Sequence, residues 1–217
     1  MGPNTILGIM IASYIAPIAY VYYKYRANAT NASGTRSISS IITSQEPLFL
    51  RENDPGGGGT QHPPLFQTRH FIAACMFIMG FFTILYEIQR CAIRHISWSL
   101  FTIVALLIGI FGVILIPEHD PTHYIFAGTA FFAIVWFMIG HTLHVDYDRN
   151  GGGNGVHDNL RILLYAQSLF MVVTVIGVLR DTPIFIFEAL FLMNFAVFYL
   201  YLHSASASAS ASASARN

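Results

Sequence analysis

Two histidines eighteen residues apart, His123 and His141, bracket a run with no charged residue between them. Eighteen residues make five α-helical turns, so in a helix both rings share one face, about 27 Å apart. With partner histidines at matching depth, such a face could hold two haems. His70 is the candidate partner for His123, and His95 or His203 for His141. Beyond that run, His141, His144, Asp146 and Asp148 stand at i, i+3, i+5 and i+7, donors suited to zinc or another divalent ion. No second dense donor group accompanies them, and the same run reads equally as a solvated helix end. Neither pattern makes a complete site, so no metal or cofactor is expected. Glu87, Gln167, Glu188 and Asn194 are further polar groups inside apolar runs. There a polar side chain is costly unless it faces protein. His123 and Glu188 lie near the same end of their runs, with Asn194 further along. A Glu–His pair there would hold a lipid headgroup or relay a proton, or would simply fix helix packing.

The elements that must position these groups are six apolar stretches, 4–23, 71–88, 96–116, 124–140, 160–179 and 184–202. At about 1.5 Å rise per residue each can cross a hydrocarbon core about 30 Å thick. Charged residues are 10% of the chain, against roughly 25% in soluble domains. Long unbroken apolar runs satisfy their backbone in lipid as helices, whereas barrel strands would alternate. The fold class is therefore all-α: a polytopic integral membrane protein, residues 1–203 forming six transmembrane helices. Short connections at 89–95, 117–123, 141–159 and 180–183 make neighbours antiparallel, giving an up-down bundle. The Ser-Ala repeat of 204–217 has no large apolar side chain to bury and is expected to be a disordered tail.

The exception among the connections is 24–70, rich in Ser, Asn, Gly and Pro, with a run of four glycines at 56–59. Its sequons at Asn28 and Asn31, if glycosylated, put it on the extracytosolic side and both termini in the cytosol. Basic residues divide almost evenly between the two faces and do not decide orientation. Cys75 and Cys91 are sixteen residues apart, about 24 Å along a helix, too far to bridge. A formal net charge of zero gives no electrostatic case for nucleic acid. No phosphate loop, nucleophile motif or paired-carboxylate site is present: the four glycines lack the Lys-Ser/Thr sequel. Gly109, Gly112, Ala127 and Gly128 offer small faces for close helix contact.

The order of local patterns carries a family resemblance. Ser37-Ile38-Ser39-Ser40 and Pro47-Leu48-Phe49 follow the first stretch, and Leu65-Phe66-Gln67 precedes the second. His119-Asp120-Pro121-Thr122-His123 leads into Ala127 and the pair Phe131-Phe132. Phe187-Glu188 is followed by Asn194 and closed by His203. The chain resembles the Frag/DRAM/Sfk family of six-helix eukaryotic membrane proteins over most of 1–203. The family's acid and glycine after the Ile-Ser motif are absent here, since Ser40-Ile41-Ile42 follows. A six-helix family of uncharacterised prokaryotic proteins shares the layout. The resemblance implies a non-enzymatic role: binding or organising lipids, or scaffolding a lipid-modifying or autophagy-related complex such as one built on a peripheral lipid kinase. It implies a plasma-membrane or endolysosomal/Golgi location. The matched positions are Ser39, Pro47, His123, Ala127, Phe187, Glu188 and Asn194. Two other classes stay open: a small transporter or channel subunit, and a haem- or metal-dependent membrane redox protein or enzyme.

Overall fold

Proline and aspartate set one helix start. Asp120 accepts the Thr122 amide on Oδ1 at 2.8 Å, while Pro121, with no amide proton to satisfy, occupies the first helical position. One turn ends as cleanly. Asp181 adopts a left-handed φ of 52°, and the amides of Thr182 and Asp181 reach back to the carbonyls of Gly177 and Val178. This pair of bonds closes a helix C-terminus and starts the next helix after Pro183.

The computed structural model describes residues 3–28, 37–39, 67–90, 96–116, 120–144 and 154–214. Among them are six helices and no β-strand: α1 (Pro3–Asn28), α2 (Thr68–Arg90), α3 (Ile96–Leu115), α4 (Pro121–His144), α5 (Asn154–Leu179) and α6 (Phe185–Ser214). All six are long and apolar enough to cross a membrane. The fold is thus the all-α, six-span architecture expected from the sequence, compatible with an integral multi-pass membrane protein. One element differs. The Ser-Ala repeat, expected to be disordered, continues α6 to Ser214. Alanine at every second position supplies the highest helix propensity, and the preceding turns already nucleate the helix.

Helices adjacent in sequence pack on one another, and α1 meets α6 to close the arrangement. The tightest seam joins α3 and α4. A Cβ added to Gly109 would lie 2.6 Å from the Ala130 backbone nitrogen and 2.8 Å from the Phe126 carbonyl oxygen. The backbones approach because that side chain is missing. Gly128, also expected to serve such a contact, has no atom near its Cβ position. It lies off the seam.

A ladder on α6, Phe191, Phe195 and Tyr199, repeats every four residues and so faces one way. Phe191 meets Phe131 of α4 edge-on at 4.5 Å, and Tyr199 stacks on Phe137 at 5.7 Å. Phe195 reaches Tyr14 of α1 at 6.2 Å. These rings span the bundle interior and leave space between them. α5 lies to the outside of the other five helices. Only 11% of its span is buried, against 33–44% for the other five. Its outer face presents Tyr165, Leu169, Val172 and Ile176, and Phe101 and Phe132 are exposed elsewhere. Apolar surface of this extent suits lipid contact.

Candidate apolar cavity in the bundle

Glu188 stands in the first turn of α6, where the helix dipole favours a carboxylate. It is 8% exposed and accepts the Ile38 amide on Oε2 at 2.5 Å. Ile38 belongs to the long connection between α1 and α2, 150 positions away in sequence. Beside it Ser37 and Ser39 join hydroxyls at 3.0 Å. Ser37 and Ile38 are buried. The Ile-Ser and Phe-Glu motifs, remote in sequence, are one contact: a buried carboxylate anchoring a piece of the loop against the bundle.

Beneath that anchor lies a cavity of about 120 Å³. Ile72, Met76, Leu106, Ile110, Phe131 and Leu192 are among its lining residues, and Glu188, Ser39 and Tyr14 are those with polar side-chain atoms. Walls come from α1, α2, α3, α4 and α6, with none from α5. A second cavity of about 50 Å³ continues along the bundle, and Tyr14, Met79 and Leu106 border both.

His123 does not bond Glu188. The Asp120–Pro121 cap sets it in the first turn of α4, where Nδ1 lies 2.8 Å from the Ile116 carbonyl. Its ring is 1% exposed, and Nε2 has no hydrogen-bond partner among the described residues. The expected Glu–His pair therefore resolves into two separate groups at one end of the bundle. Asn194 is elsewhere again. Its amide donates to the Leu163 carbonyl at 2.9 Å and to Gln167 Oε1 at 2.6 Å, while Gln167 donates to the Phe191 carbonyl at 3.0 Å. These bonds clamp α5 to α6, and Asn194 does not line the cavity.

At the opposite end a second polar cluster forms that residue type alone did not assemble. Glu87 of α2, fully buried, accepts the Tyr199 hydroxyl of α6. His141 Nε2 of α4 lies 3.8 Å from Glu87 and 3.1 Å from the Ser99 hydroxyl of α3. Helices α4 and α6 thus converge on one carboxylate of α2, and α3 joins through Ser99 and His141. The sequence offered a signal, an acid inside an apolar run, but no hint that the rest of its cluster comes from three other helices.

His141, a candidate metal ligand, turns inward to this cluster. The side chain of His144 and all of Asp146 lie outside the described residues, as do Asn31, His95 and the side chains of Asn28 and His203. Among the described residues no group of three or more His, Cys, Asp or Glu side chains is placed to hold a metal ion. Comparison with family models, with curated proteins and with solved structures gives no match for this chain.

Proposed function

We propose that this protein is a non-enzymatic membrane protein of the Frag/DRAM/Sfk type that takes the apolar part of a lipid into its bundle. The observation that carries this reading is the apolar cavity bordered by the Glu188–Ile38 anchor. Its volume approaches the roughly 150 Å³ at which an apolar engineered cavity stays dry and binds benzene. A lipid segment inserted there would exchange hydrocarbon for protein contacts, and the anchored loop would respond to its presence. That coupling is a means of reporting lipid state to a partner such as a peripheral lipid kinase. In support of the family, two of its motifs form one contact here. In this reading the long loop is extracytosolic, the termini face the cytosol, and the membrane is the plasma or endolysosomal/Golgi membrane.

Ile110→Trp tests the lipid reading by filling the cavity from α3. Wild-type protein washed in detergent should retain lipid by mass spectrometry, and Ile110→Trp should lose it while keeping its helical content. Equal retention by both would defeat the reading.

The two adjoining cavities, with Glu188 lining one and Glu87 bonded to Tyr199 of the other, favour a second reading as a small transporter. Flux in proteoliposomes that Glu87→Gln abolishes would select it.

A further inference from the structure

Building on the lipid-cavity reading, we propose that the ligand carries a hydrogen-bond donor, a hydroxyl or protonated amine, on its apolar body, and that His123 Nε2 accepts it. A carbonyl oxygen only accepts, so the 2.8 Å contact to Ile116 puts the ring proton of neutral His123 on Nδ1. Nε2 is then an acceptor lone pair. It is buried in a ring only 1% exposed and has no partner among the described residues. Buried polar atoms are overwhelmingly paired, so such an atom calls for an explanation.

Its position supplies one. His123 stands one helical turn before Ala127 on α4, and Ala127, Ala130, Phe131 and Ile134 all line the cavity. The histidine therefore continues the cavity-lining face toward the loop end of the bundle. Glu188 reaches the same end from α6. Gln67 at the start of α2 adds a third acceptor, a buried Oε1 without a partner among the described residues. No Lys or Arg is among the described residues lining the cavity. Glu188 lines the cavity, while His123 and Gln67 lie just outside its lining at the loop end of the bundle. With no lining cation, these acceptors favour a donor-bearing headgroup over a phosphate or carboxylate. A contrary group at the same end is Arg69 on the first turn of α2, whose buried Nε lacks a hydrogen-bond partner among the described residues.

The test uses full-length protein in lipid nanodiscs and an octanol with a photoreactive diazirine on its chain. Adducts are mapped by mass spectrometry, and 1-octanol, 1-methoxyheptane and octanoate compete. Label should reach Met76, Leu106, Ile110 or Leu192. Octanol should displace it at about tenfold lower concentration than the ether, the effect of one hydrogen bond to a buried acceptor. In His123→Asn, whose amide can still donate to Ile116, the label should still enter and the gap should close to about twofold. The alcohol–ether comparison in wild-type protein stands even if that variant fails to fold. Equal competition by alcohol and ether, with label in the cavity, would overturn the donor proposal and leave the lipid reading intact. Strongest competition by octanoate would overturn it in favour of Arg69. No adduct on cavity residues would remove the lipid reading, and the proposal with it.

Discussion

Single polar side chains in this protein act by holding together segments that lie far apart in the chain. Glu188 receives a backbone amide from the long connection, so the anchor depends on an acceptor at that point. Glu188→Gln keeps a carbonyl oxygen there and should leave Ile38 largely protected from amide exchange. Glu188→Ala removes it, leaves the buried amide unpaired and should cost about 1–3 kcal/mol of local protection. Amide exchange by mass spectrometry, read on peptides containing Ile38, distinguishes the two. Equal protection in Glu188→Ala would show that the anchor is unimportant. At the other end, Tyr199→Phe deletes one donor to a fully buried carboxylate. Hydrogen bonds to charged groups contribute about 1.5–3 kcal/mol, so a drop of that order in SDS-unfolding free energy is expected. In a double-mutant cycle with Glu87→Gln the two changes should be non-additive. Strict additivity would contradict the contact. Glu87, Glu188, His123 and Asn194 were visible in the sequence because a polar group in an apolar run stands out. Their partners were not, because those partners are backbone atoms or side chains contributed by other helices.

Contacts between elements rest on small residues at one seam and amides at another. Gly109→Ala would push a methyl into the backbone of α4, not into a side chain that can swing away. Overpacking of this kind costs about 1–3 kcal/mol. Gly128→Ala meets open space and should be neutral or slightly stabilising, since alanine is the better helix former. Thermal unfolding of both variants in one detergent gives the comparison, and a matched loss in both would contradict the α3–α4 seam. Asn194→Leu should loosen α5 from α6. Interhelical hydrogen bonds in membranes contribute about 0.6 kcal/mol on average and up to roughly 2 kcal/mol. The loss should appear as faster proteolysis within the turn near Asp181, and unchanged cleavage would count against the clamp. Helix positions followed from the six apolar runs because lipid imposes one backbone solution. Which glycine faces a neighbour did not follow. Gly109 and Gly128 look alike in sequence, and only their rotation about the helix axis separates them.

For the molecule as a whole, five helices enclose the cavities and α5 rides on their outside, held by α6 and α4. The up-down order was legible from the short connections. The peripheral place of α5 was not, because its composition matches that of the other spans and only packing tells them apart. Nor was the cavity legible, since Met76, Ile110 and Leu192 could as well have met one another as left space. In the proposed function, that space beneath a carboxylate-anchored loop receives the apolar part of a lipid. A density map of the full-length protein in lipid nanodiscs, with no ligand added, tests this most directly. The expected result is elongated non-protein density among Met76, Leu106, Ile110 and Leu192, with its polar end toward Glu188 and His123. Side chains collapsed into that space, with lipid density only along outer faces such as that of α5, would contradict it.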